Sequence, residues 1–191
     1  MKSKILITGS QGFIGKILVN EFKNSSKLIL IDKKKNFSHQ NNFHRINLLN
    51  QENLEEIFKK NKISTIIHLA SEIFDDDKNV YNFNVKSSRN LILLGEKYKI
   101  KNFIFTSTFS IYEKNYIKPI LENETPSAKN SYGKSKYKVE TILKKSKLKN
   151  YTILRVPIVV GKSRSHRMGI LFEMIRNNFP LFLIGDGNNK I

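Results

Sequence analysis

The chain has 191 residues, no Cys, 39% hydrophobic residues, and 34 Lys and Arg against 16 Asp and Glu, a formal net charge of +18. That composition excludes disulfides, thiolate nucleophiles and thiolate metal sites, and no apolar run approaches the roughly 18 residues of a membrane span. A globular, soluble, cytoplasmic protein of one domain is expected.

Lys4–Thr8 predicts the first strand and Phe13–Lys23 the first helix. Across the turn, T-G-S-Q-G-F-I-G spaces Gly9, Gly12 and Gly15 as G-x-x-G-x-x-G. Such glycines permit a tight turn and a close approach of backbone to a pyrophosphate, whose charge the helix N-terminus meets. The same glycines would also serve simple packing of helix on strand. The second strand, Lys27–Ile31, runs into Asp32, 23 residues after Gly9. A carboxylate there accepts hydrogen bonds from both hydroxyls of an adenosine ribose and repels a 2′-phosphate, which favours NAD over NADP. Lys33, Lys34 and Lys35 follow at once and offer partners to such a phosphate.

Strands are expected next at Phe43–Ile46, Thr65–Leu69 and Asn102–Thr106, with helices at Gln51–Asn61 and Val80–Tyr98 between them. Short apolar strands alternating with helices predict an α/β fold: a Rossmann-type, doubly wound parallel sheet with helices on both faces. His39, His44, His68 and His166 lack ligand spacing, so no metal site is expected. The run Phe103-Ile104-Phe105-Thr106-Ser107-Thr108 ends in hydroxyls at the carboxyl edge of the sheet, where ligands bind in this architecture.

After a loop at Glu122–Asn130, a helix predicted over Tyr132–Ser146 opens with Tyr132-Gly133-Lys134-Ser135-Lys136. The i, i+4 spacing puts phenol and ammonium on one face, where Lys136 can stabilise a tyrosinate. By itself an ordinary exposed Tyr–Lys pair is the simpler reading. The tract from Lys134 to Lys149 has the spacing of a solvated helix face, and no basic motif interleaved with aromatics is present, so nucleic acid is disfavoured as a partner. A positive surface would still attract a phosphate-bearing substrate. Tyr151–Arg155 and Leu181–Ile184 complete the expected strands and His166–Asn177 the helices.

TGSQGFIG, LILID, IIHLAS, FNV at 83–85, FIFTSTFSIY, SYGKSK, LRVPIVVG and PLFLIGDGN stand in an order that resembles the NAD-dependent epimerase/dehydratase family. This family belongs to the extended short-chain dehydrogenase/reductase superfamily and acts on nucleotide sugars. The resemblance implies that Gly9, Gly12 and Gly15 line a pyrophosphate, with Phe13 and Ile14 at the helix start. It implies that Asp32 binds ribose, that the Asn47-Leu48 segment lies by the adenine, and that the backbone of His68, Leu69 and Ala70 passes the cofactor. Thr108 would be the catalytic hydroxyl, Tyr132 the acid/base and Lys136 the lysine that holds the nicotinamide ribose. Helices 80–98 and 132–146 resemble those of the family's four-helix dimer interface, which implies a homodimer.

Departures from the family pattern narrow the expectation. Asn47 and Asn50 replace the Asp residues of D-L-x-D, which removes a charge near the adenine. Phe109 and Ser110 stand where sugar 4,6-dehydratases carry Asp and Glu, so water elimination is disfavoured. Ile158 replaces an Asn that touches substrate, with Lys162, Arg164 and Arg167 nearby in sequence. A single Rossmann domain over 1–191 is expected, with 162–191 the start of a truncated substrate-binding region. The reading is an NAD-dependent nucleotide-sugar epimerase or keto-reductase; its alternative is a dinucleotide-binding protein without turnover.

Overall fold

A computed structural model describes residues 3–22, 27–35, 42–73, 77–112, 119–161 and 167–180. Six parallel strands form one sheet: β1 (Lys4–Thr8), β2 (Leu28–Asp32), β3 (Phe43–Arg45), β4 (Ile63–His68), β5 (Asn102–Thr108) and β6 (Tyr151–Val156). Their order is β3-β2-β1-β4-β5-β6, the Rossmann order, with the reversal between β1 and β4. Helices α1 (Phe13–Glu21), α2 (Gln51–Lys60), α3 (Asp77–Lys97) and α4 (Ser131–Lys144) make the crossovers. The predicted strand Leu181–Ile184 lies outside the described residues.

Consecutive strand residues face opposite sides of the sheet, and both sides are apolar. Leu6, Ile29 and Ile31 point to the larger core, with Leu54, Ile57 and Phe58 of α2, Leu91, Ile92 and Leu94 of α3, and Val139 and Leu143 of α4. Ile7, Leu28 and Leu30 point the other way, onto Val19 of α1. Helices therefore cover both faces. Each of these buried side chains contributes about 1.5–3 kcal/mol, so the sheet is the rigid frame from which the loops at its carboxyl edge project.

Local chemistry sets the helix starts. Asn50 Oδ1 accepts from Asn53 N at 3.0 Å and caps α2, and Asn130 Oδ1 accepts from Gly133 N at 2.7 Å and caps α4. Helix α3 begins at Asp77, three residues before the predicted Val80, with an acidic side chain in its first turn as the helix dipole favours. Strand β5 runs to Thr108, two residues past the predicted end, because it pairs with β6 through Thr108↔Val156.

The chain divides after Pro157 into two compact units, Met1–Pro157 and Ile158–Ile191. The second contains α5 (Arg167–Arg176). Among the described residues no helix is long and apolar enough to cross a membrane.

Candidate functional site

The glycine turn leaves the carboxyl end of β1, beside the reversal in strand order. Gly9 has φ +71°, and a Cβ on it would lie 2.7 Å from the Ala70 amide nitrogen. A Cβ on Gly15 would lie 2.1 Å from the Gly9 carbonyl oxygen. Both positions demand glycine, for the turn and for the seating of α1 against it. Gly12 differs: a Cβ there would meet only the Gly9 carbonyl oxygen, at 3.1 Å. Its missing side chain leaves room at the N-terminus of α1, where Gly12 is the N-cap and the first turn carries no acidic residue. Phe13 and Ile14, the first two residues of the helix, are half-buried. That N-terminus suits an anion such as a pyrophosphate.

Asp32 is buried beside this turn. Its Oδ2 accepts from Gln11 N and its Oδ1 from Lys34 N, each at 2.9 Å. The carboxylate is thereby fixed to the glycine turn, and each oxygen has a second lone pair for a ribose hydroxyl. Of the three lysines that follow, Lys33 forms an ion pair with Glu72 and lies 5.6 Å from the Phe83 ring centroid.

At the far end of the edge, Thr108 closes β5 and its Oγ1 accepts from Ser110 N at 3.1 Å, capping a single 3-10 turn, Phe109–Ile111. Ser107 turns away: its Oγ donates to the buried Glu140 Oε1 at 2.5 Å. The two adjacent hydroxyls thus have separate surroundings. Gly133 brings α4 to this turn, since a Cβ on it would lie 2.5 Å from the Ser110 carbonyl oxygen. The backbone contact sets half-buried Tyr132, one residue earlier, against the segment that follows Thr108.

Lys136 is only 2% exposed, and its Nζ donates to the Thr106 carbonyl at 2.8 Å. The ammonium lies 4.9 Å from the Phe105 ring centroid and 5.5 Å from that of Tyr132. Burial lowers its pKa to about 7. An ordinary surface pair would not pay this desolvation, so the exposed Tyr–Lys reading is set aside. The structure joins Thr106, Thr108, Tyr132 and Lys136 in one corner of the sheet edge.

The loop after β4 has a split character. The His68 side chain belongs to the interior, with Nδ1 2.7 Å from Thr8 Oγ1 and Nε2 2.9 Å from Ser88 Oγ. Burial, and then the charge of Lys136, lowers its pKa to about 3. The backbone of Leu69 and Ala70 runs beside Gly9, and Leu69 N donates to Thr8 O at 3.2 Å. Leu48 is likewise a core side chain, whereas Asn47 is exposed and its Oδ1 accepts from Leu49 N at 3.0 Å. Ile158 is exposed in the second unit; Lys162 and Arg164 lie outside the described residues, as does the side chain of Arg167.

Sequence reasoning missed the braces. Asn84 Oδ1 accepts from Glu72 N at 2.8 Å while its Nδ2 donates to Glu72 O and Ser135 Oγ, each at 3.0 Å. It ties the loop after β4 to α4. Arg155 donates to Glu140 through Nε at 3.1 Å and Nη2 at 2.7 Å, and through Nη1 to Tyr112 OH and to the Glu122 carbonyl. Both braces lay inside stretches singled out for resemblance, FNV and LRVPIVVG, yet their partners are remote in sequence.

The NAD dependent epimerase/dehydratase family model matches residues 5–191. A UDP-glucose 4-epimerase of Caenorhabditis elegans is 32% identical, over 88% of this chain and 57% of its own length. A dTDP-D-glucose 4,6-dehydratase of Dictyostelium discoideum is 36% identical, over 69% of this chain and 35% of its own. The crystal structure of a UDP-glucose 4-epimerase from Thermotoga maritima with UDP-glucose superposes with TM-score 0.83 at 27% identity, covering 97% of this chain and 67% of that one. The chain spans about half the length, or less, of these curated relatives.

Proposed function

The chain belongs to the NAD-dependent epimerase/dehydratase family, and from that premise we propose that it binds NAD and interconverts nucleotide sugars as an epimerase or keto-reductase. The observation that carries this reading is the gathering of Thr108, Tyr132 and Lys136 through two contacts on backbone carbonyls, Gly133 against that of Ser110 and Lys136 Nζ on that of Thr106.

The protein's groups fit the cofactor. Gly12 and the start of α1 take the pyrophosphate, and Asp32 takes the adenosine ribose. Bound NAD supplies the hydride acceptor and donor. Tyr132, as phenolate, takes the proton of a sugar hydroxyl, commonly that at C4, and returns it in the reverse direction. In its ammonium form Lys136 places a positive charge beside the Tyr132 ring, which favours the phenolate. Thr108 Oγ1 accepts from Ser110 N, and its own proton can be donated to the sugar oxygen as that oxygen becomes a ketone. Phe109 and Ser110 supply no acid or base for water elimination, which favours epimerisation or reduction over dehydration.

We read the outer faces of α3 and α4 as a self-association surface, because Leu93 is 44% exposed on one helix and Tyr137 38% on the other. The central test incubates the protein with NAD and a panel of nucleotide sugars and follows inversion at C4 by NMR. Interconversion lost in Tyr132→Phe supports the reading. Tight NAD binding without interconversion reduces it to dinucleotide binding without turnover.

A further inference from the structure

Lys33 follows β2 and Glu72 follows β4, and these strands are the two neighbours of β1 in the sheet. Their ion pair therefore spans the carboxyl end of β1, beyond the glycine turn and next to Asp32. Both ends are held by backbone contacts. Arg45 Nε donates to the Lys33 carbonyl at 3.1 Å, and Asn84, itself buried, grips Glu72 by its amide and its carbonyl. Phe83, beside Asn84 in α3, sits under the Lys33 ammonium. An exposed lysine on a free stem would search solvent for an anion. This one is engaged by a carboxylate whose backbone is fixed.

The arrangement answers the conflict posed by an acid followed at once by three lysines. We propose that Glu72 is a cofactor-selectivity residue: by engaging Lys33 it withdraws the cation that directly follows Asp32 from a ribose 2′-phosphate, so that the carboxylate of Asp32 decides for NAD. The inference rests on the dinucleotide reading and concerns binding alone. A 2′-phosphate entering here meets Asp32 and Glu72, two negative charges, while Lys34, Lys35 and Arg45 remain exposed cations near it. Replacing Glu72 by Gln removes one repulsion and releases Lys33 in the same step. Opposite charges near a surface interact only modestly, so the change is measurable but not large.

The test titrates the full chain with NADH and with NADPH, following reduced-cofactor fluorescence, in wild type, Glu72→Gln, Lys33→Gln and the double variant. Circular dichroism checks that each is folded. Glu72→Gln is expected to lower the ratio of the NADPH Kd to the NADH Kd by about three- to tenfold, and the double variant to restore most of it. An unchanged ratio in Glu72→Gln overturns the proposal. So does an equal gain for both cofactors, which would make the ion pair a strap across the crevice, or a ratio that stays low in the double variant, which would show that Lys33 takes no part. Absence of binding of either cofactor to any variant overturns the dinucleotide reading and this inference with it.

Discussion

Glu140, fully buried on α4, and Arg155 of β6 face each other fork to fork, with Nε–Oε1 at 3.1 Å and Nη2–Oε2 at 2.7 Å. Glu140 also accepts from Ser107, the residue before Thr108, while Arg155 reaches Tyr112 and the Glu122 carbonyl. Glu140 thus fastens the helix that bears Tyr132 to β6 through Arg155 and to β5, the strand that bears Thr108, through Ser107, while Arg155 also holds Tyr112 and Glu122. Its hydrogen bonds raise the Arg155 pKa. Breaking such a pair leaves a charge unpartnered, so Glu140→Gln is expected to lower unfolding free energy by about 3 kcal/mol, measured by urea titration. A loss below about 1 kcal/mol, the range of an exposed pair, would deny the brace.

The glycine turn allows packing and cradle to be separated. Gly15→Ala would force a Cβ to 2.1 Å from the Gly9 carbonyl, so a destabilised or unfolded protein is expected. Gly12→Ala meets one atom at 3.1 Å, which a shift of a few tenths of an ångström relieves. It should fold with a Tm within a few degrees of wild type yet bind NADH at least about tenfold more weakly, because the methyl occupies the approach to the α1 amides. Equal NADH affinity in Gly12→Ala would return the turn to pure packing.

How much of this was readable in the chain depends on distance along it. Leu6 and Ile7, and likewise Ile29 and Leu30, are apolar neighbours that face opposite sides of a parallel sheet, so continuous apolar runs separated by helical spacing announce the fold. The glycine turn and Asp32 are local patterns too. Lys136 is named by its spacing from Tyr132, but its burial and the part played by Glu140 are obscured: within a Lys-rich tract whose spacing is that of a solvated face, the stripe Ser135, Lys136, Val139, Glu140 and Leu143 is turned to the core. Helical spacing identifies that stripe only when its charged members have partners, and those are Thr106, Ser107 and Arg155 on other strands. Lys33 and Glu72 lie 39 residues apart, joined only by the sheet order.

The buried bases give stability a definite pH slope. His68 has its pKa lowered from 6.5 to about 3, and Lys136 from 10.5 to about 7. In both, the unfolded chain binds more protons between the two values than the folded protein does, so stability rises with pH across each window. The Lys136 contribution is present above about 10.5 and lost as pH falls to about 7; that of His68 is present above about 6.5 and lost toward about 3. Urea midpoints measured from pH 6 to 10 should climb in the wild type and flatten in Lys136→Met. Parallel slopes in the two proteins would refute the assignment.

Self-association through α3 and α4 should depend on salt in an unusual sense. Lys86 and Arg89 on α3, and Lys134 and Lys138 on α4, are exposed beside Leu93 and Tyr137. A two-fold interface would bring like charges together, and salt screens such repulsion over about 8–10 Å. Sedimentation equilibrium is expected to show association that tightens from 50 to 500 mM salt, and weakens when Leu93→Lys adds a further charge. Association that loosens with salt, or ignores Leu93→Lys, would place the interface elsewhere.

Ser107 and Thr108 make the sharpest pair, because adjacent hydroxyls on one strand are assigned different work. Ser107 donates to a buried carboxylate, and its loss should cost about 1–3 kcal/mol of stability while turnover per folded molecule stays near wild type. Thr108 accepts from Ser110 N, so Thr108→Ala also costs a 3-10 cap, worth about 1 kcal/mol. Its larger effect should fall on kcat, lowered about a hundredfold or more, as loss of one donor to a developing oxyanion does. NADH affinity should be unchanged, since neither hydroxyl is assigned to the cofactor. Thr108→Ser, which keeps the donor, should recover most of the rate. If Ser107→Ala instead removes turnover in a folded protein and Thr108→Ala does not, the catalytic hydroxyl has been placed one residue too far along β5.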